Sequence, residues 1–253
     1  MTTIAEIWRY PVKGLTGQRL ETAQLEPGQA IAGDRAFAIR HGDTEFDPAA
    51  PKHLPKTKFL ALMTHAELAA LEVSFSGEGD VMTVSKDGEL LFHGSLRDPD
   101  EVHRLDIMMA TYMGDRAKGA PHLEAAEGHM FSDVPEKVLS VVNLASVKAL
   151  SDHVGEALDP LRFRANIYLE GLPAWAERDW QPGTVFTAGG VTLRLMKPIV
   201  RCNATNVNLQ TAEVDQNLPK VLQQEFGANL MGVYCTVESA GTIKPGDQFT
   251  PVD

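Results

Sequence analysis

The sequence predicts a mainly β fold with helical decoration, an α+β protein. Short apolar or alternating runs recur along the chain between Gly- and Pro-rich turns, as is typical of short strands. Helical periodicity is confined to a few segments. The composition is 43% hydrophobic and 23% charged, which is ordinary for a soluble globular protein of 253 residues. Such a chain can bury a sizeable core, and this pattern favours a β-barrel that carries a few helices.

The first half of the chain predicts six short strands and two helical segments. A long helix is expected at residues 98–113, because apolar residues recur at helical spacing and Asp98-Pro99 suits a helix start. A shorter helix is expected to complete residues 60–71. The predicted strands are residues 4–12, 20–25, 35–40, the beginning of 60–71, 81–85 and 89–92, and the last two are joined by the hairpin turn Asp87-Gly88.

Residues 43–58 predict a loop that could close over a ligand, because they are rich in Pro, Lys and Asp and contain few large apolar groups. Its basic residues favour a solvated face over a ligand clamp. They are Lys52, Lys56 and Lys58.

The second half begins after a polar, Gly- and Pro-punctuated stretch at residues 114–136. Asn143 is predicted to cap a helix that follows the first strand of this half, and a second helix is expected at 217–226. Pro198 is expected to stop the strand that precedes Cys202. The predicted strands are residues 138–142, 167–169, 191–195 and 232–237, followed by a strand–turn–strand at 241–249.

The formal charge of −11 argues against nonspecific binding to nucleic acid or to an anionic membrane. Any anionic ligand must therefore meet a local cluster of basic residues. Two cysteines make a disulfide framework improbable and suit a reducing compartment. The sequence contains no run of 18 apolar residues and no N-terminal apolar signal segment. We therefore expect a cytoplasmic protein.

The first candidate for chemistry is Cys202, which directly follows Arg201. A thiolate is a soft ligand for metals, and an adjacent guanidinium favours the ionised form. A lone cysteine is nevertheless more often a small buried hydrophobic residue. The second cysteine, Cys235, alternates within an apolar strand and is interpreted as a core residue.

Four basic residues at strand ends predict a pocket for a phosphate or a similar anion. They are Lys13, Arg35, Arg164 and Arg201. Asn143 and Asn166 are candidates for directional hydrogen bonds to a heterocycle. Taken singly, each of these residues is more typical of a surface ion pair or a turn cap.

Taken together, the motifs occur in the order found in MOSC-domain proteins, and the chain resembles that family over almost its whole length. The type it resembles most is the mitochondrial amidoxime reducing component and its bacterial relatives. The resemblance implies an N-terminal MOSC-associated β domain at 1–115 and a MOSC β-barrel at 116–253, with the first strands, about residues 1–40, as candidates to join the barrel. The motifs are Tyr10-Pro-Val-Lys-Gly14, Gly33-Asp-Arg35, Phe131-Ser-Asp133, Phe163-Arg-Ala-Asn166, Arg201-Cys202 with Thr205, and Gly232 through Gly241-Thr-Ile-Lys-Pro-Gly-Asp247.

The resemblance further implies that the protein binds the molybdenum cofactor, a pterin dithiolene with a terminal phosphate (molybdopterin). Cys202 is then the protein thiolate on the metal and the catalytic residue. Gly14 stands where better-known members carry a serine. The residues implied to bind the cofactor are Lys13, Gly14, Arg35, Ser132, Asp133, Asn143, Arg164, Asn166, Arg201 and Tyr234.

The implied reaction is the reduction of an N–O bond in a small N-hydroxylated compound, with the cofactor carrying the difficult step. A fused plant-type [2Fe–2S] domain, found in some bacterial relatives, needs four cysteines, and this chain has two. Electrons are therefore expected from a separate electron-transfer protein or reductase.

Two other functions stay open at this point. Cys202 could hold a persulfide and pass sulfur or cofactor to a partner, as a non-enzymatic carrier. The chain could also be a binding module that has lost its chemistry. The cluster of Lys13, Arg35 and Arg164 favours the reductase over the carrier, because a persulfide needs no phosphate site.

Overall fold

The computed structural model describes residues 1–252, and it confirms the mainly β prediction. This range holds fifteen strands and three α-helices. The strands are β1 (Thr3–Arg9), β2 (Gln18–Leu20), β3 (Ala23–Leu25), β4 (Phe37–Arg40), β5 (Glu72–Ser76), β6 (Val81–Lys86), β7 (Glu89–Ser95), β8 (His122–Ala125), β9 (Leu139–Asn143), β10 (Ile167–Glu170), β11 (Val185–Ala188), β12 (Val191–Val200), β13 (Leu230–Val237), β14 (Gly241–Ile243) and β15 (Phe249–Pro251). The α-helices are α1 (Pro99–Met113), α2 (Leu144–Val154) and α3 (Leu218–Glu225).

Eight strands form the largest sheet, in the order β15-β11-β12-β13-β9-β10-β1-β2. β9 and β10 run parallel, and the other neighbours run antiparallel. β1 lies at the start of the chain yet pairs with β10, with Ile7 opposite Ile167. Within residues 1–252 the hydrogen-bonded order does not close into a barrel. Instead, the bridge between Thr3 and Gln248 joins β1 to the segment before β15, so the sheet folds back on itself at one corner.

Three smaller sheets accompany the large one: β3 with β14, β4 with β8, and β5-β6-β7. The predicted hairpin at Asp87-Gly88 is confirmed as the turn between β6 and β7. Asp87 has φ 52° and Gly88 has φ 80°. Positive φ at both central residues is the requirement of a type I′ turn, which Asp-Gly meets at little cost.

The helices begin where the sequence predicts them. Asp98 caps α1, and its carboxylate accepts hydrogen bonds from the backbone N–H groups of Asp100 and Glu101. The prediction that Asn143 caps a helix is confirmed, because its side chain accepts from the N–H of Ala145 at the start of α2. No helix within residues 1–252 has the length and apolar character that crossing a membrane requires.

The prediction of a strand at the beginning of residues 60–71 is wrong. The N–H of Leu60 bonds to the carbonyl of Ile39 at 2.8 Å, but the backbone then turns, and the N–H groups of Thr64 and His65 both bond to Ala61. The short helix is present as a 3-10 helix, Ala66–Ala70. The apolar residues that suggested a strand are buried in the core without a strand partner.

Pro198 does not stop β12, which continues to Val200. β11 pairs only with residues 191–194, so this end of β12 has β13 on one side and no strand on the other among the described residues. A proline, which lacks an N–H, is tolerated at such an edge. The pairing with β13 shifts register between Leu195 and Lys197 and again between Pro198 and Val200.

The protein has two main hydrophobic cores, one under the large sheet and one among the smaller sheets and α1. The first packs one face of the large sheet against β3 and β14, with Ile4, Ile7 and Leu139 among its fully buried members. The second joins β4, β6, β7, β8 and α1 around residues such as Phe37 and Leu105. Because β1 and β2 belong to the large sheet, the domain division at residue 115 stays a prediction.

Candidate functional site

A cavity of about 100 Å³, partly open to solvent, lies where the N-terminal segments meet the large sheet. Ten of the eleven residues proposed for the site line it, and they come from six separate parts of the chain. They are Lys13, Gly14, Arg35, Ser132, Asp133, Arg164, Asn166, Arg201, Cys202 and Tyr234.

Cys202 lies just beyond the end of β12 and begins the 3-10 helix Asn203–Asn206. Its carbonyl accepts hydrogen bonds from the N–H of Thr205 at 3.1 Å and from the hydroxyl of Thr205 at 3.0 Å. These two bonds fix the backbone on which the thiol is carried. The thiol is free and half-buried, so it is accessible to a ligand in the cavity and is not sealed among aliphatic side chains.

Arg201 is held rigidly next to this thiol. Its Nε donates to the carbonyl of Met231 at 2.8 Å, and its Nη1 donates to the carbonyl of Phe163 at 2.8 Å. Its Nη2 is buried and has no hydrogen-bond partner among the described residues. Burial lowers the pKa of Arg201, against the opposing effect of Tyr234 and other neighbours. An unpaired buried donor is costly unless a ligand accepts from it.

Asp133 bridges two lysines at the cavity. Lys13 Nζ donates to Asp133 Oδ1 at 2.7 Å and to the carbonyl of Phe131 at 3.0 Å, and Lys56 Nζ donates to Asp133 Oδ2 at 3.3 Å. Burial raises the pKa of Asp133, but the two ammonium groups outweigh it and hold that pKa well below its ordinary value. Burial also lowers the pKa of Lys13. The carboxylate therefore occupies the space between two cations.

Arg35 and Arg164 both have φ of 50°, in the left-handed region that non-glycine residues seldom adopt. Their guanidinium groups lie over the ring of Tyr10, at 5.0 Å and 4.4 Å from its centroid. Arg35 pairs with the buried carboxylate of Asp34 and donates to the carbonyl of Arg164 at 3.0 Å. Strained backbone of this kind persists where the surroundings enforce it, often at a binding site.

The charge of the cavity is opposite to that of the whole chain. Within the described range, one carboxylate, Asp133, lines the cavity together with six cationic side chains. Arg164 and Arg201 form no ion pair in this part of the chain. The six cations are Lys13, Arg35, Lys56, Arg162, Arg164 and Arg201. A protein of net charge −11 thus builds a local site for an anion.

Asn166 lines the cavity, but most of its amide is committed elsewhere. Its Oδ1 accepts from the N–H and the hydroxyl of Ser140, at 3.0 Å and 2.8 Å, and its Nδ2 donates to the carbonyl of Trp8 at 3.2 Å. These bonds link β9, β10 and β1. Tyr234, by contrast, makes no hydrogen bond through its hydroxyl to another described residue, and burial raises its pKa.

Asn143 is not brought to the cavity, which corrects its assignment as a cofactor-binding residue. Its Nδ2 donates to the carbonyl of Pro173 at 2.8 Å and to Glu177 Oε2 at 3.1 Å. Its Oδ1 caps α2. The side chain has no free polar atom for a ligand because the helix start and the buried Glu177 use them all.

The sequence reasoning misjudged Lys56, which was interpreted as part of a solvated face. Burial lowers its pKa, but Asp133 and Cys202 raise it by more, so the net shift is upward. The signal was present in the chain, since Lys56 lies in the loop predicted to close over a ligand. Arg162 was also missed; it lines the cavity while it holds Asp215 through two bonds of 2.7 Å.

The described residues contain no group of three His, Cys, Asp or Glu side chains that could hold a metal by themselves. The Cys202 sulfur lines the cavity and is available to a metal that a bound molecule carries. Thiolate suits soft metals. The geometry fits a soft metal centre attached to an anionic group.

Two protein families match the chain. Residues 125–250 match the MOSC domain, and residues 1–136 match the MOSC N-terminal beta barrel domain. A curated relative is the mitochondrial amidoxime-reducing component 1 of Homo sapiens, which is 21% identical over 284 residues and covers 97% of this chain and 81% of the human protein. Together the two family matches account for almost every residue.

Solved structures give weaker likenesses. The YuaD protein from Bacillus subtilis aligns with 98% of this chain and 94% of its own, at 13% identity and a TM-score of 0.49. YiiM from Geobacillus stearothermophilus aligns with 46% of this chain at 23% identity and a TM-score of 0.37. The alignment spans about half of that second protein, 54% of its length.

Proposed function

Because the chain belongs to the MOSC family and carries the MOSC N-terminal domain before its MOSC domain, we propose that it binds the molybdenum cofactor in the cationic cavity and reduces N–O bonds of N-hydroxylated compounds. The family is associated with this cofactor, and the name of the human relative, amidoxime-reducing component, supplies the substrate class. The observation that carries the proposal is the half-buried Cys202 thiol beside cations from distant segments.

The residues present fit the cofactor. The unpartnered Nη2 of Arg201 and the two arginines without carboxylate partners offer donors to a phosphate or a pterin. Lys13, Arg35 and Lys56 add positive charge at the same cavity. The Cys202 thiol is a soft donor that suits a molybdenum–dithiolene centre. When bound, the cofactor supplies two-electron redox chemistry that no side chain of this protein can provide.

In this scheme, the residues of the chain bind and orient the cofactor and the substrate. The N–O bond of the substrate breaks with the uptake of two electrons and two protons, which yields the N–H compound and water. We assign the electrons to a separate electron-transfer protein or reductase, since the two cysteines of residues 1–253 are too few for a plant-type [2Fe–2S] cluster. The Tyr234 hydroxyl lines the cavity without a protein partner and is a candidate to hold a proton near the reacting atoms.

The proposal is tested first by metal content. The protein should be purified from a host that makes the cofactor, and its molybdenum and pterin fluorescence measured per chain. We expect stoichiometric molybdenum in the unchanged protein and its loss in Cys202→Ser. Benzamidoxime reduction with a chemical electron donor should disappear in the same variant. Full activity in Cys202→Ser would contradict the assigned role of the thiol.

The loop lysines provide a matched pair for the anion site. Lys56→Gln removes a cation that lines the cavity, whereas Lys52→Gln removes an exposed cation of the same loop. We expect Lys56→Gln to weaken cofactor retention about tenfold, as the loss of one charge-assisted hydrogen bond implies. Lys52→Gln should retain the cofactor normally. Equal retention by both variants would remove Lys56 from the site.

The same half-exposed thiol supports a second candidate function, a sulfur carrier that holds a persulfide on Cys202. That function predicts metal-free protein from a cofactor-competent host and a cyanide-labile sulfur that Cys202→Ser lacks. The cations of the cavity have no role in it.

A further inference from the structure

A second cavity adjoins the cationic one and is much less polar. Its volume is about 160 Å³. Thr16 and Gln210 at its edge are exposed, so it opens to solvent. We call it the side chamber. Its walls are mainly the side chains of Trp8, Tyr10, Leu62, Leu68, Leu161 and Leu209.

The side chamber and the cationic cavity share part of their walls. Gly14, Leu62 and Arg164 line both. Gly14 has no side chain, so at that point only backbone separates the two spaces. The Arg164 guanidinium is fixed between them, 4.4 Å from the Tyr10 ring centroid and 2.6 Å from the carbonyl of Leu15. A molecule in the side chamber therefore lies directly beside the cavity that contains Cys202.

The side chamber is lined by one basic and one acidic side chain, Arg164 and Asp159, and lacks the excess of cations found in the cationic cavity. The Asp159 side chain accepts a hydrogen bond from the N–H of Leu161 at 2.8 Å. The indole N–H of Trp8 donates to Glu6 Oε2 at 2.7 Å and is not free. The rest of the lining is mainly apolar and includes two aromatic rings, which bind rings and hydrocarbon groups well. A phosphate would gain little there.

We infer that the side chamber binds the apolar body of the substrate while its N–O group reaches into the cationic cavity. The inference rests on the proposed function and adds a preference to it: uncharged aryl and bulky alkyl N-hydroxylated compounds bind better than small or phosphorylated ones. Substrate enters from solvent past Thr16 and Gln210. The cofactor and the substrate body then occupy different spaces, with Arg164 between them.

Two neighbouring alanines of the 3-10 helix Ala66–Ala70 provide the test. Ala69 lines the side chamber and Ala70 does not. Ala69→Phe should fill the chamber, and Ala70→Phe is its control. Two amidoximes that differ only in their bodies, benzamidoxime and acetamidoxime, serve as substrates for the cofactor-loaded protein. We expect Ala69→Phe to lower kcat/KM for benzamidoxime about tenfold or more and to leave acetamidoxime within about twofold.

A variant with the opposite effect protects the test against simple misfolding. Leu209→Ala enlarges the side chamber and should raise kcat/KM for a naphthyl amidoxime relative to benzamidoxime. Calorimetric binding of benzamidoxime without an electron donor gives a readout apart from turnover, and Ala69→Phe should lose that binding. Molybdenum content should stay unchanged in Ala69→Phe. A parallel loss of activity toward both amidoximes, or a loss of molybdenum, would overturn the inference, because the chamber would then serve the fold or the cofactor.

The outcomes separate the two proposals. If the unchanged protein holds no molybdenum and reduces nothing, the proposed function fails, and the inference about the chamber then stands or falls on benzamidoxime binding in Ala69→Phe against Ala70→Phe. If the unchanged protein reduces benzamidoxime but Ala69→Phe shows the same preference, the proposed function survives and the chamber assignment is wrong.

Discussion

The two cysteines have opposite environments although both follow apolar strand sequence. Cys202 is half-buried at the cavity, whereas Cys235 is fully buried in β13. Burial raises the pKa of Cys235 to about 12. A thiol in that state is inert because the thiolate is the reactive form. The reading of Cys235 as a core residue is confirmed.

We therefore predict one reactive thiol per native chain at pH 8. An aromatic disulfide reagent should label Cys202 rapidly and should reach Cys235 only after unfolding. Cys202→Ser should show no fast labelling, and Cys235→Ser should behave as the unchanged protein. Fast labelling of the Cys202→Ser protein would show that β13 opens readily, contrary to its position in the sheet.

Gly14 is required by the backbone at the cavity. It has φ of 86°, and a Cβ there would lie 2.5 Å from the carbonyl oxygen of Leu60. We predict that Gly14→Ser lowers the free energy of unfolding by about 1–3 kcal/mol. Gly28 is the matched control, because it has φ of 69° and no atom within 4 Å of an added Cβ. Urea unfolding should show a larger loss of unfolding free energy for Gly14→Ser than for Gly28→Ser. An equal loss would mean that the backbone at Leu60 moves to make room for the new side chain.

The sequence predicted which residues lie at the site, but it did not predict all the hydrogen-bond partners of their side chains. The cations and the cysteine follow from motifs whose residue types are rare in combination. Asn143 is predicted both as a helix cap and as a cofactor-binding residue, and the structure bears out only the cap. Asn166 lines the cavity, but its amide links strands. An amide carries both donors and acceptors, and sequence does not show which neighbours will take them.

Two histidines pack together beside the segment that connects the loop at 43–58 to the cavity wall. The rings of His41 and His65 lie 5.2 Å apart between centroids. The N–H of His41 bonds to the carbonyl of Lys58, and that of His65 bonds to the carbonyl of Ala61. Burial lowers the pKa of both imidazoles. Of the charged groups around them, Arg116 and Lys118 oppose protonation, and Asp43 and Glu67 favour it.

This pair predicts a loss of stability in mild acid. The folded-state pKa of each imidazole lies below its unfolded value of about 6.5, so the unfolded chain binds protons first as the pH falls. Both side chains are neutral above that value and the stability is fully present. It should decrease from about pH 6.5 downward. Chemical unfolding at pH 7.5 and pH 5.5 should show a smaller decrease for His41→Gln and His65→Gln than for the exposed control His103→Gln.

The elements predicted best are those whose ends are marked by a helix cap or by a turn sequence. The caps Asp98 and Asn143 and the turn Asp87-Gly88 all act through local hydrogen bonds or local backbone preference, so their effect is readable from neighbours in the sequence. The apolar run at 60–65 carries no such signal. Its burial comes from contact with distant residues, and burial alone is compatible with turns as well as with a strand.

The two family domains share one sheet. β1 lies between β10 and β2, and Ile4 and Ile7 are fully buried in the core that this sheet builds. The guanidinium of Arg35 donates to a carbonyl 129 residues away, at Arg164. The chain cannot be divided in the middle without removing a strand from the interior of the sheet.

We predict that residues 116–253 alone do not fold, and that the whole chain unfolds in a single transition. Without β1, the strand β10 loses a partner and the core loses Ile4 and Ile7. Circular dichroism and limited proteolysis of the fragment should show an unfolded, protease-sensitive chain. In the whole chain, tryptophan fluorescence and circular dichroism should report the same urea midpoint. A stable fragment would mean that the second half carries its own complete core.

The short-strand architecture was predictable at the scale of the whole molecule because turn residues and strand residues alternate along the chain. The order of strands was not, since pairing between residues 1–9 and 167–170 depends on contacts that no local pattern encodes. The open sheet also differs from the barrel that the resemblance implied. The meeting of the site residues in one cavity was predictable only through the family resemblance, which rests on the order of the motifs.

Asp133 competes with any anionic ligand for two lysines of the cavity, Lys13 and Lys56. A phosphate that arrives near Lys13 finds both ammonium groups already engaged by a carboxylate of this chain. Under the proposed function, a phosphate that binds Lys13 and Lys56 displaces the Asp133 carboxylate from them, so one paired anion replaces another. Without that phosphate, the same carboxylate neutralises both ammonium groups, which limits the repulsion among the cations of the cavity.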